Sequence, residues 1–167
     1  LYEGKPVGTP DAGAYWRIIA QHRVAALFTA PTAFRAIKKE DPDAKLVKDY
    51  DLRGFRTLFL AGERADPETI KWAQAALDVP VLDHWWQTET AWPICGNPVG
   101  LGTLPVKLGS AAVPMPGYDL QVLDDKAQPV KPGETGTLAI KLPLPPGALP
   151  TLWNNPERFR KSYLADL

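Results

Sequence analysis

The chain has 167 residues, a usual length for a globular domain, and its 45% hydrophobic and 23% charged residues are ordinary for such a protein. Its 19 Lys and Arg residues balance its 19 Asp and Glu residues, which argues against a broad basic face for nucleic acid or an anionic membrane. The sequence contains no run of about 18 apolar residues, so no membrane-spanning segment is predicted. The single cysteine, Cys95, excludes an internal disulfide and a multi-cysteine zinc site.

The first two-thirds of the chain alternates helical and strand patterns. Helices are predicted over residues 12–22, 31–39 and 67–77, and short apolar strands over residues 24–28, 55–61 and 79–82. Thr9 or Asp11 can cap the first helix, Pro31 can open the second, and Asp66 before Pro67 predicts the start of the third. Short strands separated by helices predict parallel pairing with right-handed crossovers.

The last third has a different pattern. Gly and Pro recur every few residues from position 93 to position 117, and two alternating segments follow at residues 118–123 and 137–142. Such alternation predicts antiparallel strands of a small barrel or an open sheet. The predicted fold class is therefore α/β: a partial parallel sheet with flanking helices, followed by part of a small antiparallel β-barrel.

The topology predicts where a ligand binds. Ligands of open parallel sheets bind beyond the carboxyl ends of the strands. Two such ends are visible in the sequence, at residues 61–64 (AGER) and at residues 83–90 (DHWWQTET). Gly62 in the first of them lets a backbone approach a flat ligand closely.

The second strand end carries side chains suited to a nucleotide and a metal ion. Trp85 and Trp86 can stack on a ring or wall a pocket. Thr88 offers a hydroxyl to a phosphate oxygen, and Glu89 offers a carboxylate to a hard cation such as Mg²⁺. The alternative is that the two tryptophans are core or interface residues and that Thr88 and Glu89 cap a helix.

The same two segments carry a family resemblance, together with TAPTAFRAIKKED at residues 29–41 and KLPLPPGALPTLWNNPERFRKSYL at residues 141–164. The chain resembles the adenylate-forming acyl-CoA synthetases over nearly its whole length, and most of all their short-chain branch, the acetyl- and propionyl-CoA synthetases. WWQTET is the specific part of this resemblance, because a Thr-Glu pair alone is common.

The resemblance implies a reaction and its participants. ATP and a carboxylate form acyl-AMP and pyrophosphate, and CoA then attacks the acyl-AMP. The implied ligands are ATP or AMP, CoA and a short-chain carboxylic acid such as propionate or acetate, with Mg²⁺ as cofactor. Neither nucleic acid nor a membrane is an implied partner. The implied location is the cytoplasm, or the mitochondrial matrix in a eukaryote.

The resemblance also implies site residues, position by position. Those for the adenine and AMP are Gly62, Glu63, Arg64, Asp83, Trp85, Gln87 and Thr88. Ala61 and Trp86 match walls of the acyl pocket, Thr88 and Glu89 match the catalytic positions, and Glu89 also matches the magnesium ligand. Two positions depart from the family pattern: Arg64 replaces a common Pro, and Ala91 replaces the usual Gly.

Several family segments are not in the sequence: the glycine-rich phosphate loop, the ribose-binding aspartate and the lid lysine. We therefore expect the chain to be an internal piece of a large N-terminal domain. Residues 1–106 would be part of an α/β AMP-binding subdomain, and residues 107–167 part of a β-barrel subdomain. Alone, the chain would be inactive, and the surface exposed by truncation could favour self-association.

Two other functions remain open at this point. One is a different adenylate-forming ligase, acting on a medium-chain or aryl acid; the bulk of Trp86 argues against it because an indole shortens the pocket. The other is a non-catalytic α/β nucleotide-binding module.

Overall fold

The computed structural model describes residues 4–165, so the first three residues and the last two lie outside the described part. The described chain contains α-helices and β-strands in mixed order. In chain order these are α1 (Ala14–His22), β1 (Ala26–Thr29), α2 (Pro31–Glu40), β2 (Thr57–Leu60), α3 (Pro67–Leu77), β3 (Val81–Asp83), β4 (Cys95–Gly96), β5 (Val113–Pro114), β6 (Asp119–Leu123), β7 (Thr137–Lys141) and α4 (Pro156–Tyr163). A short 3-10 turn lies at Leu46–Asp49.

The first three strands form a parallel sheet in the order β1-β2-β3. Their register places Thr29 beside Leu60 and Leu60 beside Asp83, so that the three carboxyl ends are aligned. This confirms the predicted parallel pairing. The strands are one to three residues shorter than their apolar runs, and β1 and β3 each end one residue later than predicted.

The core of the first unit lies between the three helices and one face of this sheet. Leu58 and Leu60 of β2 are fully buried against Trp16, Phe34 and Ile70, which belong to the three helices. The rings of Trp16 and Phe34 meet edge to face, with centroids 5.9 Å apart. Each such side chain contributes about 1.5–3 kcal/mol on burial, so this cluster is the main source of stability for the sheet.

The helix starts follow the sequence in two cases of three. Asp66 caps α3 by accepting a hydrogen bond from the Thr69 backbone N–H at 2.8 Å, and Pro31 is the first residue of α2, both as predicted. The prediction for α1 was wrong. Its N-cap is Gly13 without a side-chain bond, and Asp11 instead accepts from the Gly13 backbone N–H at 2.8 Å. The helix accordingly begins at Ala14.

The described chain divides into two compact units. The first runs through Trp85 and includes Cys95–Val113; the second contains Trp86–Ile94 and the chain from Pro114 onward. In the second unit β6 and β7 pair antiparallel, with Leu120 beside Ile140, as the alternation predicts. Between residues 114 and 165 the structure shows this two-stranded pair and α4 rather than a closed barrel. No described helix has the length and apolar content that a membrane crossing requires.

Candidate functional site

The loop after β2 exposes its backbone. Ala61 is buried, whereas the three residues that follow it are exposed. Gly62 has φ +96°, and a Cβ placed on it would meet nothing within 4 Å. A side chain would be strained there by the positive φ, so glycine leaves an open stretch of main chain at the edge where the three strands end.

Glu63 in this loop is fixed by the helix that follows β1. One carboxylate oxygen accepts a hydrogen bond from the Thr32 backbone N–H at 2.7 Å, and also from the Thr32 hydroxyl. The other oxygen lies 2.7 Å from the Arg35 guanidinium. Neither Thr32 nor Arg35 was predicted as a site residue. Their contacts bridge about 30 positions in sequence and arise because β1 and β2 end side by side.

Asp83, the last residue of β3, lies close to the same loop. Desolvation by burial raises the pKa of its carboxyl group, while backbone hydrogen bonds from Ala65 and His84 and the charge of Arg64 act in the opposite direction. The structure thus brings Asp83 together with Arg64, two residues that the sequence analysis assigned to the same ligand. Arg64 also lies beside Gly109, where a Cβ would approach its guanidinium to 3.4 Å.

Trp85 is held by its backbone. It exchanges two hydrogen bonds with Cys95, at 3.0 Å and 3.2 Å, in a short antiparallel bridge. The neighbouring His84 packs against Phe28 and Phe59, with ring centroids 5.9 Å and 5.0 Å apart. Burial lowers the pKa of His84 and raises the pKa of the Cys95 thiol. Both groups are therefore neutral near pH 7, as packing residues are.

The second unit holds the rest of the block, Trp86–Thr90. Thr90 is buried and its hydroxyl bonds to the Gln87 carbonyl at 2.9 Å and the Trp92 carbonyl at 3.0 Å, so that residues 87–90 form a turn. The Tyr118 hydroxyl donates to the Thr90 carbonyl at 3.3 Å. Thr88 and Glu89 lie inside this turn, so they do not cap a helix. The side chains of Gln87 and Thr88 are exposed.

Glu89 is held from two later parts of the chain. Its backbone carbonyl accepts from the Leu149 N–H at 2.7 Å, and its carboxylate accepts from the Tyr163 hydroxyl at 3.0 Å. The bond to Glu89 raises the pKa of Tyr163. Tyr163 lies 74 positions away in sequence, and no local pattern around it pairs it with Glu89.

The described residues contain no group of three His, Cys, Asp or Glu side chains that could hold a metal ion. Glu89 therefore offers a single carboxylate. One carboxylate fits Mg²⁺ in sites where substrate phosphates and water supply the other ligands, and it would not form a metal centre without the nucleotide.

Comparison with known proteins shows the family to which the chain belongs. The model of a family described as AMP-binding enzyme matches residues 2–145. The chain belongs to the AMP-binding enzyme family. It is 57% identical over 164 residues to the human protein named acyl-CoA synthetase short-chain family member 3, mitochondrial, covering 98% of this chain and 24% of that protein.

A second curated protein and a solved structure are also similar to the chain. A propionate–CoA ligase of Escherichia coli is 44% identical over 164 residues, which are 98% of this chain and 26% of that protein. The chain thus spans about a quarter of the length of the curated relatives it matches. A crystal structure of the anthranilate CoA ligase AuaEII with anthranoyl-AMP matches with TM-score 0.71 and 24% identity, covering 92% of this chain and 28% of that one. This likeness shows the shared fold.

Ala91 has a left-handed backbone, with φ +53°. The glycine usual at this position in the resembling synthetases adopts that conformation freely, whereas an L side chain does so at a cost of about 1–2 kcal/mol. The departure from the family pattern therefore stores strain directly after the turn at residues 87–90.

Ala91→Gly should stabilise the chain by about 1 kcal/mol, because it relieves this strain. Urea unfolding of the chain measures the change. Ala36→Gly, inside α2, is the matched control and should destabilise by about 1 kcal/mol. A loss of stability in Ala91→Gly would contradict the assignment of strain.

Asp83→Asn should raise the melting temperature at pH 7. The pKa of Asp83 is higher in the folded chain than in the unfolded chain. The stability that the protonated carboxyl group contributes is therefore fully present below the unfolded pKa, and it is lost as the pH rises through the folded pKa. Asparagine avoids that loss, and its advantage should disappear near pH 3, where Asp83 is protonated in both states. Melting curves of the chain at both pH values measure it; an equal or lower melting temperature at pH 7 would contradict the desolvation argument.

Proposed function

We propose that the chain is the central part of a longer AMP-forming acyl-CoA synthetase, which activates propionate or acetate with ATP and passes the acyl group to CoA. The observation that carries the proposal is the 57% identity over 164 residues to a protein named as a short-chain acyl-CoA synthetase. The match to a propionate–CoA ligase at 44% identity agrees with the same class of acid.

The first unit would hold the adenine. The exposed, uncrowded backbone at Gly62 offers a flat surface to a purine. Asp83 stands at the aligned strand ends beside Arg64, where its carboxyl can accept a hydrogen bond from an exocyclic amino group. Trp85 offers an indole for stacking, fixed in place through its backbone bridge to Cys95.

The second unit would hold the reacting groups. The exposed amide of Gln87 and hydroxyl of Thr88 can donate hydrogen bonds to the acid carboxylate and the α-phosphate. Mg²⁺, when bound with ATP, would neutralise phosphate charge and orient the phosphates. Glu89 would hold it, and the Leu149 and Tyr163 bonds would keep that carboxylate in one orientation. The missing phosphate loop and lid lysine would come from other parts of the enzyme.

Trp86 and Ala61 would set the length of the acid. The indole of Trp86 is 37% exposed, and it would close the far end of the acyl pocket. The small side chain of Ala61 would leave room for a carbon beyond acetate. An aryl acid, as in the structural relative, would need the space that the indole fills, so a short-chain acid is preferred.

The remaining assignments follow from the same proposal. Residues 1–106 would belong to the AMP-binding subdomain and residues 107–167 to a β-barrel subdomain, whose other strands lie elsewhere in the enzyme. The location would be the cytoplasm, or the mitochondrial matrix in a eukaryote. Self-association of the isolated chain would involve the sheet face that carries Phe28, which is 55% exposed.

Glu89→Gln in the full-length protein tests the function. It removes the charge that would hold the metal, and acid-dependent ATP–pyrophosphate exchange should fall at least about 100-fold. Glu134→Gln removes an exposed charge from the second unit and should leave exchange unchanged. The chain alone, without the other catalytic segments, should show no exchange above a protein-free blank. The proposal fails if the full-length protein gives no propionate- or acetate-dependent exchange, or if Glu89→Gln stays within twofold of it.

Trp86→Gly in the full-length protein should shift the preference toward longer acids. Each additional buried methylene is worth about 0.8 kcal/mol, so the ratio of kcat/KM for hexanoate over propionate should rise at least about tenfold. Trp153→Gly, which removes a tryptophan that is 90% exposed, is the control and should keep the ratio. An unchanged ratio in Trp86→Gly would remove this residue from the acyl pocket.

A further inference from the structure

We propose that Arg35 is a positioning residue for the nucleotide loop, residues 61–64, and that it acts through the carboxylate of Glu63. That the loop contacts a nucleotide rests on the proposed function, whereas the contacts of Arg35 and Glu63 are seen in the structure itself. The family resemblance implied Glu63 for the adenine and did not include Arg35 among the site residues, whereas this proposal gives both side chains the task of holding the loop.

The first step concerns the start of α2. Its N-cap is Ala30, which makes no side-chain hydrogen bond, and its first turn contains no acidic residue. A helix start leaves backbone N–H groups unpaired and attracts negative charge. Glu63 supplies what α2 lacks, because its carboxylate accepts from the Thr32 N–H at 2.7 Å. The loop after β2 thus caps the helix after β1.

The second step concerns Arg35, which lies one turn along the same helix. Its guanidinium is 2.7 Å from Glu63 Oε2 and 3.4 Å from Asp66 Oδ2. Asp66 in turn caps α3 through the Thr69 N–H. Desolvation would raise the pKa of Asp66, but the hydrogen bonds from Thr69 and Arg35 outweigh it and leave that pKa below its usual value. Arg35 therefore pairs with both Glu63 and Asp66, the carboxylates that precede and follow Arg64 in the chain.

The third step concerns which groups of the loop remain available to a ligand. Thr32 occupies one oxygen of Glu63 and Arg35 the other, so the side chain of Glu63 anchors the loop and the backbone around Gly62 is what faces a nucleotide. Arg35, Glu63 and Asp66 are 38–43% exposed. Ion pairs with that much solvent contribute little to overall stability. Their loss should therefore displace the loop without unfolding the protein.

The experiment compares Arg35→Met with Lys38→Met in the full-length protein. Both remove one positive charge from α2, but Lys38 contacts the Glu68 carbonyl at 3.1 Å rather than Glu63. Arg35→Met should raise KM for ATP about tenfold, the loss typical of one charge-assisted hydrogen bond, with kcat and KM for CoA within about threefold. Arg35→Lys should give an intermediate KM, because an ammonium group cannot bridge both carboxylates as the planar fork does. Lys38→Met should match wild type.

Amide hydrogen exchange at Ala65, which is buried and whose backbone N–H bonds to Asp83, gives a readout that does not need activity. Exchange of this amide should be at least about fivefold faster in Arg35→Met and unchanged in Lys38→Met, since displacement of the loop breaks its hydrogen bond. Should Arg35→Met not fold, Arg35→Lys carries the same comparison.

Three results would overturn the inference. Unchanged exchange at Ala65 would show that Arg35 does not hold the loop. A rise in KM for CoA with KM for ATP unchanged would show that Arg35 binds CoA directly. A large fall in melting temperature with both KM values unchanged would make Arg35 structural. Absence of acid-dependent ATP–pyrophosphate exchange in wild type would instead refute the proposed function, while the hydrogen exchange would still decide the contact.

Discussion

The alignment of three short parallel strands is the constraint on which the rest of the first unit depends. Thr29, Leu60 and Asp83 lie in register at the ends of β1, β2 and β3. Each loop therefore leaves the sheet at the same edge, and polar residues distant in sequence meet there. A shift of one residue would turn the buried Leu58 and Leu60 to the opposite face, so burial of these leucines also fixes the register of the polar edge.

The polar residues at this edge differ in what they contribute. The Glu63 carboxylate is hydrogen-bonded to Thr32 and paired with Arg35. It also completes the start of α2, which would otherwise have no cap. Asp83 is different, since burial raises its pKa and makes its charge unfavourable for folding. A residue that lowers stability where it stands is more typical of a functional site than of a scaffold.

Sequence reasoning predicted most of the first unit because its signals are local. Pro67 after a capping Asp66 defines α3, and short apolar runs define β1 to β3 within a few residues. It failed at Asp11, whose side chain accepts from the Gly13 N–H rather than capping α1, which begins at Ala14. It found the loops at both strand ends through topology, but it could not find Arg35 or Tyr163. Their contacts depend on register and on tertiary packing, which local patterns do not encode.

The WWQTET block is divided by the structure in a way that the sequence does not suggest. Trp85 belongs to the first unit and is held by Cys95, whereas Trp86–Ile94 belongs to the second unit. There Thr90, Tyr118, Leu149 and Tyr163 fix the turn that carries Glu89. The contacts that position the residues proposed for the adenine are therefore separate from those that position Glu89, the proposed metal ligand. In the proposed synthetase adenylation would need both sets of residues, so a change in either set would abolish the reaction while leaving the other set of contacts in place.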